Sequence, residues 1–116
     1  MRFSRLHFGS ITIEGVTYNH DVVIDRGRVL KRKKKPSKKF REEFGHTPVS
    51  INEKLPWKCR RLVIGTGNYG SLPVMEDVKD EARRRKVELL ILPTEDAVKA
   101  LTEEPAHTNG ILHITC

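Results

Sequence analysis

Arg61-Leu62-Val63-Ile64-Gly65-Thr66-Gly67-Asn68-Tyr69-Gly70 is a short apolar run that meets three glycines, and a helical pattern opens soon after, at about Pro73. The stretch predicts a buried strand, a tight turn and a helix N-terminus, where outward-pointing backbone N–H groups favour an anion. Gly65-x-Gly67-x-x-Gly70 has the context of a phosphate turn, but two features of the dinucleotide fingerprint are missing. The following strand ends in Leu92-Pro93-Thr94 where an acid should hold a ribose hydroxyl, and 116 residues are too few for two mononucleotide-binding halves. Gly70 is followed by Ser71-Leu72, which excludes a triphosphate loop. Two readings stand. The first is a glycine connection that needs positive φ and close packing. The second is a seat for an anion or small polar ligand, with Gly65, Thr66, Gly67, Asn68, Tyr69 and Gly70 as its candidate binding residues.

Downstream the pattern is helix, strand, helix, strand. Val74, Val78 and Ala82 recur every four residues as an inward stripe. Glu76 and Asp77 open that helix and Arg83 to Lys86 close it, the charge order that a helix dipole prefers. Val87–Leu92 predicts a second core strand. Thr94 reads as the N-cap of a helix that turns Val98 and Leu101 inward and stops at Pro105. Gly110–Cys116 predicts a last strand tied into the sheet.

Upstream, Ile11 and Ile13 alternate, Val16 and Tyr18 continue the alternation, and Asp25-Arg26-Gly27-Arg28 connects Val22–Ile24 to Val29-Leu30. These elements predict a small N-terminal antiparallel sheet. Ser50-Ile51-Asn52-Glu53 matches a capping box and predicts a short helix, ended by Pro56. The expected whole is a single α/β domain over residues 1–116, three-layered, with helices packed on a mixed central β-sheet.

The net charge of +7 is uneven. Nine Lys or Arg and no acid lie between Arg28 and Arg41; removing nine from +7 leaves −2 for the rest. Pro36-Ser37 argues against one continuous helix there, so residues 31–46 read as an exposed strand extension and loop, with mobility left open. Such a run would make nucleic-acid binding strongly salt-dependent, but it carries one aromatic, Phe40, and no nucleic-acid motif. A solvated loop that meets an acidic partner ranks above nucleic acid.

No apolar run is long enough for a membrane span, and Met1–His7 has no signal core, which predicts a cytoplasmic protein. Cys59 and Cys116 are too few for a disulfide framework or a zinc site, and reduced thiols are expected. On a continuing strand His113 and Cys116 would face opposite ways, a poor metal pair. No Ser-His-Asp set assembles from the sequence, and no catalytic, metal-binding or cofactor-binding residue is assigned.

Val63-Ile64-Gly65-Thr66-Gly67, Pro93–Ala100 and the ending Gly110–Cys116, with Arg28–Arg32 and Gly45-His46, resemble the Mth938 domain family. Its members include an adipogenesis-associated protein and a mitochondrial complex I assembly factor. The resemblance covers nearly the whole chain. It implies a compact three-layer α/β fold with no established enzyme activity, and it brings no catalytic set.

The first functional reading is a non-catalytic binding or assembly module that holds a partner with the basic loop and the rim of the glycine turn. The alternative is an anion- or small-ligand-binding protein, or an enzyme, that uses residues 65–70. Lys33, Lys34, Lys38 and His46 are the residues expected to fold over the turn in that case, and their placement decides between the two.

Overall fold

A computed structural model describes all 116 residues. Strands β1 (Phe3–His7), β2 (Ser10–Ile13) and β3 (Val16–Tyr18) form an antiparallel meander. The chain continues through the β4 (Val22–Asp25) and β5 (Arg28–Lys31) hairpin. A 3-10 helix (Lys35–Phe40) then runs into the short α1 (Arg41–Phe44). Strand β6 (Arg61–Thr66), helix α2 (Glu76–Arg84), β7 (Glu88–Leu92), α3 (Thr94–Glu103) and β8 (Thr108–His113) complete the domain. The central sheet has the order β5-β4-β8-β6-β7. Strand β6 is parallel to both β7 and β8, whereas β4 is antiparallel to β8 and β5.

Period-two alternation supplies both faces of this sheet. Val22, Ile24, Val63 and Leu112 face one way, under Ala97 and Leu101 of α3 and under Ile11 and Ile13 of the meander. Val23, Leu62, Ile64 and Ile111 face the other way, under Val78 of α2 and under Val49, Leu55 and Leu72. Three layers follow, with β8 buried along its whole length and β6 buried from Leu62 onward.

Several sequence expectations change. The β4–β5 hairpin joins the central sheet, because Val23 is as apolar as Val22 and Ile24 and each face of β4 has a layer to cover it. Strand β7 is an edge strand, with Glu88 and Ile91 exposed. Helix α2 begins at Glu76; Val74 is held outside it by a bridge to Val49. Ser50 and Glu53 make the expected turn bonds, but Pro56 follows too soon for a helix to propagate. Residues 35–44, read as loop, are helical. Pro36 sits in the first turn of the 3-10 helix, where its missing N–H does no harm.

Val63 is fully buried between two parallel neighbours. Val63→Asp is expected to cost about 3–5 kcal/mol, the range for an unpaired charge in a core. A urea midpoint equal to that of the wild type would contradict the position of β6.

Candidate functional site

The glycine turn follows β6, and its backbone meets the segment beyond β8. Gly67 N–H donates to Thr94 Oγ1 at 2.8 Å, and that hydroxyl donates to the His113 carbonyl at 2.6 Å. Asn68 N–H donates to Thr115 O at 3.1 Å and Tyr69 N–H to Cys116 O at 2.9 Å. Gly70 N–H and Leu72 N–H donate to Gly67 O and Thr66 O. Gly67 has φ +99, and a Cβ there would lie 1.9 Å from Thr115 O. At Gly65 a Cβ would lie 2.8 Å from Thr94 Oγ1. These glycines therefore permit close approach of backbone to backbone. The N–H groups that the sequence offers to an anion are taken by the chain's own oxygens, and residues 71–75 separate the turn from α2. Thr94 is thus an internal tie between three segments, and Pro93 occupies the N-cap.

Of the side chains expected over the turn, His46 reaches its neighbourhood: Nδ1 is 3.2 Å from Cys116 Sγ. Lys33 lines a groove with residues of β4 and β5 instead. Lys34 and Lys38 stand at the start and in the last turn of the 3-10 helix.

A buried polar cluster lies behind the segment beyond β8. Arg32, counted in the sequence among the exposed cations, is 4% exposed. Its guanidinium donates to Asp21 Oδ2 at 2.9 Å, to both Glu53 oxygens at 2.8 Å and to Pro48 O at 3.0 Å. Ser37 adds a bond to Glu53 and one to Ser50. His113 Nδ1 lies 2.8 Å from Asp21 Oδ2, and Ile114 N–H donates to Oδ1 at 3.1 Å. Burial alone would raise the Asp21 carboxyl, but the bond and charge of His113, the charge of Arg32 and the Ile114 N–H together hold it below its ordinary 3.8. Burial likewise opposes the charge on Arg32, and Glu53 and Asp21 outweigh it. The carboxylate only accepts, so His113 Nδ1 carries a proton. On its other side, His113 Nε2 is 3.1 Å from Thr115 Oγ1. Because β8 ends at His113, alternation stops there, and Thr115 links His113 to Cys116 where opposite faces were expected.

The sequence did hold a signal for this cluster. Counting outward from the Arg26-Gly27 turn places Asp21 opposite Arg32, an opposite-charge cross-strand pair.

Where residues 53–58 run beside the β4–β5 hairpin, a groove of about 620 Å³ opens. Val23, Leu30, Leu55 and Trp57 give it apolar surface, and Arg85 lies over the Trp57 ring. Arg26 and Arg28 are paired with Asp25, and Arg85 with Glu81. Lys31, Lys33, Lys54 and Lys58 line the groove and enter none of the ion pairs of the molecule. A smaller recess of about 540 Å³ adjoins it through Arg26 and Lys58 and contains Cys59, whose thiol burial pushes up. No group of three or more His, Cys, Asp or Glu converges as a metal site. No helix is long and apolar enough to cross a membrane.

The family model described as a protein of unknown function (DUF498/DUF598) matches residues 3–103. The conserved hypothetical protein PH1505 from Pyrococcus horikoshii OT3 is 26% identical over 100% of both chains, with a TM-score of 0.83. MT938 is 27% identical over 98% of this chain and 97% of its own, with a TM-score of 0.69. A Mth938-like domain from Bordetella pertussis shares the fold at 15% identity and a TM-score of 0.63, over 97% of this chain and 84% of its own.

Asp21 has a depressed pKa, so its contribution is complete above the unfolded-state value and is lost as pH falls through the folded-state value. Asp21→Asn should therefore cost about 3 kcal/mol at pH 7, as breaking a buried ion pair does. The gap from wild type should close below pH 3.8 in denaturant titrations run across pH. Gly67→Ala should cost about 2 kcal/mol or more through left-handed strain and the clash with Thr115. Faster hydrogen exchange at the Asn68 and Tyr69 amides would accompany it; unchanged protection would refute their bonds to the Thr115 and Cys116 carbonyls.

Proposed function

The chain belongs to the DUF498/DUF598 family of proteins of unknown function, and from that premise we propose that it is a non-catalytic binding or assembly module that holds an acidic, partly apolar segment of a partner protein. The observation that carries this reading is the groove beside β5: apolar surface from Val23, Leu30, Leu55 and Trp57, rimmed by Lys31, Lys33, Lys54 and Lys58 without carboxylate partners. The two acids of its lining are engaged, Asp25 with Arg26 and Arg28 and Glu53 with Arg32. An occupant must therefore bring its own negative charge, and the apolar surface gains only if it also brings apolar atoms. Acidic peptide segments carry both. A nucleic-acid backbone brings charge alone, and stacking platforms for bases are lacking, since Arg85 already lies over Trp57.

The groove offers no free general acid or base beside a nucleophile, which supports binding over catalysis. A small anion on residues 65–70 is the weaker alternative, because Gly67, Asn68, Tyr69 and Gly70 already donate internally. We place the protein in the cytoplasm, in keeping with its two free thiols.

Trp57 is the single tryptophan, so its fluorescence reports the groove directly. A peptide of alternating Glu and Leu should shift Trp57 emission, and its affinity should fall as salt rises. Combining Lys33→Glu with Lys58→Glu should weaken it at least about tenfold, roughly 1.4 kcal/mol. A saturable response from inorganic polyphosphate or single-stranded RNA but not from the peptide would overturn the acidic-protein reading.

A further inference from the structure

We propose that Cys116 is a thiol–disulfide exchange site, with His46 as the base that holds the thiol proton. The pair is brought together by the fold across most of the chain, with Cys116 Sγ 3.2 Å from His46 Nδ1. Backbone bonds fix Cys116 from two sides: Gly9 N–H donates to Ile114 O, and the Asn68 and Tyr69 N–H groups donate to Thr115 O and Cys116 O. From beneath, Thr115 Oγ1 rests on His113 Nε2, and His113 is held by the Asp21 carboxylate. The thiol is half-buried rather than enclosed, and the 80% exposed Tyr69 stands beside it.

The other cysteine supplies the contrast within the same molecule. Cys59 donates its S–H to Pro56 O at 3.4 Å, and burial there favours the protonated thiol. That environment suppresses attack, because the thiolate is the nucleophile. At Cys116 the neighbour is an imidazole nitrogen that can accept the proton.

The surroundings select the kind of electrophile. Attack on an acyl carbon creates an oxyanion that needs N–H donors, and the Asn68 and Tyr69 N–H groups beside this segment already serve the Thr115 and Cys116 carbonyls. Displacement at sulfur creates no such oxyanion. His46 takes the Cys116 proton, Sγ attacks one sulfur of a low-molecular-weight disulfide RSSR, the S–S bond breaks, and RS⁻ leaves and takes the proton from His46. The products are a Cys116–SR mixed disulfide and one thiol RSH, with no net redox change. Cys59 cannot resolve the adduct. It precedes β6 and Cys116 follows β8, two parallel strands in register, so the thiols stand roughly 20 Å apart, the length of about six strand residues. A disulfide needs Cα atoms within about 7 Å. The mixed disulfide therefore persists until an external thiol removes it.

The test is incubation of the full chain with glutathione disulfide at pH 7, with peptide mapping by mass spectrometry over time. Cys116 should form the adduct at least about tenfold faster than Cys59, since an ordinary thiol is only a few per cent thiolate at that pH. Both His46→Gln and His46→Asn should slow Cys116 severalfold, with the melting midpoint and the Cys59 rate unchanged. A Cys116 rate no faster than that of Cys59, or one that neither histidine variant lowers, would overturn the proposal.

Discussion

The guanidinium of Arg32 is the charge around which this domain closes. It lies inside the protein between Asp21 and Glu53, and burying it is tolerable only because its donors find fixed acceptors. The acceptors come from two segments: Asp21 precedes β4, and Pro48 and Glu53 lie in the connection before β6. Ser37 adds the 3-10 helix through Glu53, and His113 adds the end of β8 through Asp21. Buried ion pairs contribute little net stability against an apolar alternative, yet a misplaced partner leaves an uncompensated charge. Displacing either the hairpin or the 48–53 turn would take a carboxylate from the buried guanidinium, so the cluster ties these two segments to each other.

The second constraint is backbone crowding at the carboxyl ends of β6 and β8. Gly65 and Gly67 let Thr94 and the Thr115 carbonyl approach within distances that any Cβ would forbid. The glycine run, which has the look of a ligand cradle, works here as a clasp. It holds residues 114–116 against the end of the sheet, and it presents the Cys116 thiol to His46 as a consequence.

The two regions of chemical interest thus occupy different parts of the fold. The lysine-rimmed groove lies between the β4–β5 hairpin and residues 53–58, whereas the thiol lies past the end of β8. The Arg32 cluster touches both. Arg32 and Glu53 line the groove, and Asp21 and His113 support Thr115 behind the thiol. One buried network shapes the floor of one region and the back wall of the other.

The core strands β6 and β8, the existence of β7, the helices beside them and the hairpin turn at Arg26-Gly27 were legible in the sequence, because they rest on apolar periodicity and local turn chemistry. Legible too were the three layers, the mixed sheet and the cationic character of residues 28–41. Only tertiary structure decided what those cations do. Arg32 and Lys33 are adjacent in sequence, yet one is sealed beside two carboxylates and the other lines an open groove. Hairpin register pairs Arg32 with Asp21, but no local pattern brings Glu53 to the same guanidinium. The same limit applies to Thr94, which has the sequence of an N-cap and the position of an internal tie. It applies to His46 and Cys116 as well, since their contact exists only once β8, the glycine turn and the 45–48 loop have all been placed. Periodicity reports which side of an element is apolar; a polar site made from several segments depends on distances that the packed core alone sets.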